Sequence, residues 1–138
     1  MDDVIQLKTK VQEKIKLYGL RPTRARTRIA MILLDKPKHL SAEQVHEKLK
    51  QKGYSISKAT VYNTLNAFAE YGIVNEVTVD PSRTYYDSTT TPHHHFFNID
   101  TGQLQDIASD DMNVENIPRL PDNTQIQDLE IVVKISNK

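Results

Sequence analysis

Apolar residues recur at Val4, Leu7, Val11, Ile15 and Tyr18, three or four positions apart. That spacing predicts an amphipathic helix over 4–18, with Gly19 ending it. Arg21-Pro22-Thr23 reads as a connector, because a residue before proline avoids the helical region. Thr23 caps a second helix carrying Ile29, Ile32, Leu33 and Leu34, which Asp35-Lys36-Pro37 closes. Ser41 with Gln44 three residues later makes a capping box. The third helix that it opens carries Val45 and Leu49 and stops at Gly53. Ser57 caps a fourth helix over 57–71, with Val61, Leu65 and Phe68 on one face and Gly72 just beyond.

After Gly72 the period changes to two. Ile73, Asn75, Val77 and Val79 share a face, Asp80-Pro81-Ser82 turns, and 83–86 runs back as a hairpin. Helices followed by a hairpin are the order of a winged helix-turn-helix. Farther on, 96–99, the turn Asp100-Thr101-Gly102 and 104–107 predict a second hairpin. Residues 126–135 predict a last strand, with Leu129, Ile131, Val133 and Ile135 alternating. Between them, 108–123 is polar, contains Pro118 and Pro121, and has room for a turn or two of helix. Thr89-Thr90-Thr91 reads as a linker.

Charge divides the chain in a way its average hides. The 138 residues carry 18 basic and 18 acidic side chains. Residues 1–80 hold 14 basic and 9 acidic groups, a net of +5; residues 81–138 hold 4 and 9, a net of −5. The split suggests either two regions with different partners, the basic one suited to phosphates, or two solvated surfaces that merely differ, and charge alone favours neither. There is no cysteine, which excludes disulfides, thiolate zinc sites and cysteine nucleophiles. No apolar run is long enough for a membrane span, and Met1-Asp2-Asp3 does not begin a secretory signal. A cytoplasmic protein with no membrane partner is the expectation.

A helix that reads duplex DNA needs an apolar inner face and a polar outer face whose first turns reach base edges. In 57–71 the outward residues are Ser57, Lys58, Thr60, Tyr62 and Asn63. Asparagine can bond adenine in a bidentate manner, and an aromatic ring can pack on thymine methyls. Ser57 and Lys58 suit phosphates. For an isolated helix, a merely solvated face would be the better explanation. The surrounding helices and Arg83 at the hairpin tip turn the balance toward DNA. Arg21, Arg24, Arg26 and Arg28 form the densest basic cluster, and Arg21, on a non-helical arm, is the one placed to enter a minor groove.

His93-His94-His95 is the second chemical signal. On a strand, His93 and His95 point one way and His94 the other. A His-x-His pair on one face chelates transition metals. Phe96 and Phe97 are candidates for an apolar wall against a porphyrin.

These motifs resemble the ferric uptake regulator superfamily over about 4–134. Gly19-Leu20-Arg21-Pro22-Thr23-Arg24, His39-Leu40-Ser41-Ala42-Glu43 and Ser57-Lys58-Ala59-Thr60-Val61-Tyr62-Asn63-Thr64-Leu65 are similar to its second, third and reading helices. Most of that superfamily has arginine where Asn63 stands. Val61-Tyr62-Asn63-Thr64-Leu65-Asn66 and the histidine run look like its iron response regulator branch, a haem-responsive group of alphaproteobacteria. The resemblance implies an α+β chain: a winged-helix DNA-binding domain, 1–86, and a small α/β dimerisation and sensing domain, 87–138. It implies a homodimer on a double-stranded DNA operator. It also implies a bridging site for manganese, iron or zinc, with His39, Asp87, His93, His95 and Asp106 as ligands. Haem is a further cofactor candidate, with His93, His94 and His95 as its ligands. The superfamily's second site is poorly kept: His94 stands for an aspartate, Gln127 for a histidine, and Glu115 matches only approximately.

The function expected is therefore a metal- or haem-responsive transcription regulator of iron and haem homeostasis, with haem lowering DNA binding. A repressor sensing iron or manganese directly, like the superfamily's uptake and peroxide regulators, is the alternative. A haem or metal carrier would not need Arg21, Tyr62 and Asn63. An enzyme built on the histidines would need an open metal position in a shaped pocket, and no nucleophile, phosphate loop or zinc-protease motif accompanies them.

Overall fold

The computed structural model describes residues 2–91 and 93–138, and for Ser109 the backbone alone. The chain forms two compact units, Met1–Thr90 and Thr91–Lys138, the boundary lying in the threonine run. Among the described residues no helix is long and apolar enough to cross a membrane.

The first unit runs α1 (Asp2–Leu17), α2 (Arg24–Leu33), β1 (His39–Ser41), α3 (Ala42–Gln51), α4 (Lys58–Glu70), β2 (Asn75–Asp80) and β3 (Arg83–Asp87). The helix starts follow the caps in the sequence. The Thr23 side chain accepts from Arg26 N–H, and Ser57 accepts from Thr60 N–H. Ser41 and Gln44 close the reciprocal box. Each satisfies amide donors that the first turn leaves without intrahelical partners. Gly53 and Gly72, at φ +82, follow the ends of α3 and α4, where a side chain would be strained.

Helical periodicity decides what is buried. Ile15, Ile29, Leu33, Val45, Leu49, Val61, Leu65 and Phe68 are each wholly inaccessible to solvent. They come from all four helices and form one core, which Ile73, Val74 and Tyr86 extend to the sheet. Tyr86 donates to Asn66 Oδ1 at 2.9 Å, pinning β3 to α4. Burial, above all, pushes the Tyr86 phenol up to about 12.

The hairpin β2–β3 turns at Pro81-Ser82, where Asp80 Oδ1 accepts from the Ser82 amide and hydroxyl at 2.9 and 2.8 Å. The sheet order is β1-β3-β2. Strand β1 is new relative to the sequence reading: its three residues are too few to show a period. It pairs antiparallel with β3, setting His39 opposite Asp87.

The second unit contains β4 (His94–Asn98), β5 (Leu104–Ile107), a single 3-10 turn (Ser109–Asp111) and β6 (Val132–Ile135). Strand β4 is central, antiparallel to β5 and parallel to β6. The expected last strand, 126–135, shortens to four residues. Its alternation is genuine, but His95 already faces Val132, so upstream residues run beyond the start of β4 and have no strand to pair with. Ile126 and Leu129 are accordingly 46% and 41% exposed.

Phe68→Ala removes the largest fully buried side chain of α4. The expected loss is about 3–5 kcal/mol of unfolding free energy in denaturant titration; a loss well below that range would mean that the core collapses around the cavity.

Candidate nucleic-acid interface and metal centre

Burying Val61, Thr64, Leu65 and Phe68 fixes the rotation of α4 about its axis. Lys58, Tyr62 and Asn63 are consequently exposed. Ser57 and Thr60 serve the cap: the Ser57 hydroxyl donates to Thr60 Oγ1 at 2.9 Å, and its oxygen accepts from Thr60 N–H at 3.1 Å. The Tyr62 hydroxyl donates to the Glu43 carboxylate on the first turn of α3. The sequence reading missed Glu43, which looked like an ordinary acidic residue at a helix start. That hydrogen bond is the main reason its carboxyl is held below the usual value; its own backbone amide adds to this, and the Lys58 charge adds least. The same bond raises the Tyr62 phenol.

The four arginines separate into two kinds. Arg26 donates to the Arg21 carbonyl at 2.9 Å, and Arg28 lies over the Tyr54 ring at 4.1 Å from its centroid. Both brace the start of α2. Arg21 and Arg24 are exposed. Arg83 stands beside the hairpin turn, 3.7 Å from Asp80 Oδ2.

The metal-ligand candidates fall in both units. In the first, His39 is half-buried and Asp87 is buried, as cross-strand partners on β1 and β3. Asp87 Oδ1 accepts from Thr89 N–H at 2.9 Å. In the second, His95 on β4 and His93 just before that strand lie next to Asp106 on β5. His93 Nε2 is 3.3 Å and His95 Nε2 is 3.1 Å from the same oxygen, Asp106 Oδ1. The ligand atoms of His93, His95 and Asp106, all in the second unit, lie within 4.8 Å of one another.

The hydrogen bonds say what this cluster can hold. His93 Nδ1 is 2.7 Å from the Thr91 carbonyl, which can only accept, so the proton sits on Nδ1. A neutral His93 then directs the lone pair of Nε2 at a carboxylate oxygen. Such an arrangement calls for a cation between the donors, either a proton or a metal ion. Two imidazoles and a carboxylate suit zinc, iron and manganese. The cluster therefore fits a divalent ion.

His94 points to the other side, as alternation requires, and its Nδ1 accepts from Ile131 N–H at 2.9 Å. That bond commits one nitrogen of a haem candidate to the backbone. The aromatic wall expected from Phe96 and Phe97 does not form as one surface, because adjacent strand residues face opposite ways. Phe97 is buried and Phe96 half-buried. Glu130, with Oε1 at 3.9 Å from His95 Nδ1, also escaped the sequence reading. Thirty-five positions separate the two residues, and no motif joins them.

Taken unit by unit, the fold and the clusters define a winged-helix protein with a histidine- and carboxylate-bearing β-sheet unit. The sequence profile described as "Ferric uptake regulator family" matches residues 18–134, and the chain belongs to that family. It is 34% identical over 88 residues to the peroxide-responsive repressor PerR of Staphylococcus epidermidis, an alignment spanning 64% of this chain and 59% of that relative. The chain spans 59% to 65% of the length of the curated relatives it matches. The Vibrio cholerae ferric uptake regulator, whose DNA-binding domains are described as rearranged, superposes with a TM-score of 0.71 at 25% identity, covering 91% of this chain and 98% of that one. The Pseudomonas aeruginosa ferric uptake regulator with manganese shares the fold, with a TM-score of 0.70 at 21% identity over 93% and 98% of the two chains.

Tyr62→Phe tests the Glu43 contact. A depressed carboxyl adds stability above its unfolded value and loses it as pH falls through the folded value. The variant is therefore expected to be less stable at neutral pH, with a difference that shrinks in acid. The Glu43 carboxyl titration, followed by carbon NMR, should move up; an unchanged midpoint would show that the contact is absent in solution.

Proposed function

We propose that this chain is a metal-responsive, DNA-binding transcription regulator that acts as a homodimer, and that it is not an enzyme. The observation that carries the reading is α4. Its inner face is locked in the core, while Lys58, Tyr62 and Asn63 are presented outward from its first turns. A metal carrier would have no use for that face. In the proposal Asn63 and Tyr62 meet base edges, Lys58 and Arg21 meet phosphates or a minor groove, and Arg83 supports the wing. Ser57 and Thr60 hold the start of the helix, whose amides also favour a phosphate.

Metal response rests on the convergence of His93 and His95 on Asp106. The proposal adds His39 and Asp87 as ligands of the same ion. Their support is the family resemblance and their cross-strand pairing. Two ligands from the first unit and three from the second on one ion would couple the reading unit to the second unit. In a dimer, that coupling sets the spacing of two reading helices against two half-sites. Membership of the family and the likeness to a manganese-containing relative favour manganese, iron or zinc as the ion.

A haem response, the property of the branch that Asn63 and the histidine run resemble, is the second reading. It rests on sequence alone. One assay addresses both readings: duplexes selected from a random pool are bound by metal-free, Mn²⁺-loaded and haem-loaded protein. Tighter binding with Mn²⁺ supports metal response, and weaker binding with haem supports the second reading. Equal binding in all three states removes both.

On a selected duplex, Asn63→Ala is expected to lose about 1–3 kcal/mol of discrimination at one base pair. Lys58→Ala should weaken all duplexes alike and lower the salt slope by about 1. If Asn63→Ala left base preference unchanged, α4 would not be the reading helix. His93→Ala with His95→Ala should abolish high-affinity binding of Mn²⁺ in calorimetry; unchanged stoichiometry would place the ion elsewhere.

A further inference from the structure

Glu130 and His94 lie outside the proposed metal-ligand set, and the backbone joins them to it. Ile131, just before β6, is tied twice to the histidine run. Its carbonyl accepts from His95 N–H at 3.1 Å, and its N–H donates to His94 Nδ1 at 2.9 Å. The residue beside it, Glu130, is thereby held at His95, with Oε1 3.9 Å from Nδ1. His95 is 1% exposed, and its Nδ1 is shielded from water. Its other nitrogen, Nε2, faces Asp106. Two carboxylates thus bracket one buried imidazole, one at each nitrogen.

A histidine that binds a metal through Nε2 keeps its proton on Nδ1. A carboxylate at that nitrogen fixes the tautomer and the ring and strengthens the metal bond. The side chain of Glu130 is 29% exposed, so it retains freedom to move. A shift of roughly 1 Å would bring its oxygen to hydrogen-bond distance. We propose that Glu130 is a positioning residue for His95, selecting Nε2 as the metal-binding nitrogen, and that His94 holds Glu130 in place through Ile131. This gives His94, the middle histidine of the run, a role apart from ligation. The inference rests on the proposed metal site at His93, His95 and Asp106.

The test uses the full chain and zinc, whose diamagnetism permits NMR. Affinity is measured against a chromophoric chelator, with His95→Ala as the control for the site. Glu130→Gln is expected to weaken zinc binding by about 10–100-fold, with the circular dichroism spectrum unchanged. Glu130→Asp should recover part of the loss. Long-range proton–nitrogen spectra of the zinc-loaded protein should show His95 protonated at Nδ1 and bound through Nε2, with the Nδ1 resonance displaced in Glu130→Gln. His94→Ala should also weaken binding, and little further in the Glu130→Gln background, since both act through one residue. Unchanged affinity in Glu130→Gln, or zinc on Nδ1, overturns the inference while the metal site stands. A His95→Ala chain that binds zinc like the parent overturns the metal site, and the inference with it.

Discussion

The inner face of α4 is the constraint on which the first unit depends. Val61, Leu65 and Phe68 are wholly buried, so the helix has one orientation about its axis. Core residues from α1, α2 and α3 surround that face, and Tyr86 ties β3 to it through Asn66. A helix has no freedom to turn one face outward independently of the other. The exposure of Lys58, Tyr62 and Asn63 is therefore a consequence of packing, made before any ligand arrives. Preorganisation of this kind reduces the ordering that binding must otherwise impose.

Strand alternation plays the corresponding part in the second unit. One side of β4 carries His95 to Asp106, and the other carries His94 to Ile131. A shift of register by one residue would exchange these roles. Pairing with β5 and β6 on both sides fixes that register. The two units thus place polar side chains by different periods: in the first the polar face of α4 points away from the core, and in the second His95 lies on the same buried side of β4 as Phe97.

Much of this was legible in the residues. Thr23, Ser41 and Ser57 marked three helix starts, because capping is local and involves side chains three positions apart. The face Val61, Leu65 and Phe68 was legible for the same reason. Strand β1 was not, since three residues carry no period and His39–Ser41 is a strand only by pairing with distant β3. The last strand was overdrawn because alternation shows which residues would share a face but not where the partner strand begins. At the sites, His93 and His95 were visible as a spacing. Glu43 and Glu130 were not, because each acts through a contact across the fold, with Tyr62 and with His95.

Glu43 presents an apparent conflict. An ionised carboxylate beside α4 repels phosphate, and the Tyr62 bond and the Lys58 charge keep it ionised. Its presence is reasonable if placing Tyr62 matters more than one unit of charge. A phenol ring on an exposed helix face samples several rotamers, and a charge-assisted hydrogen bond restricts them. The repulsion acts against a local excess of +5 over residues 1–80, and it is partly screened at physiological salt. On the proposed reading, the tyrosine ring must meet a thymine methyl within a narrow range of positions, while phosphate attraction is spread over many cations. A single carboxylate that orders the ring thus sacrifices some of the distributed attraction, which other residues supply, for one positioned aromatic contact.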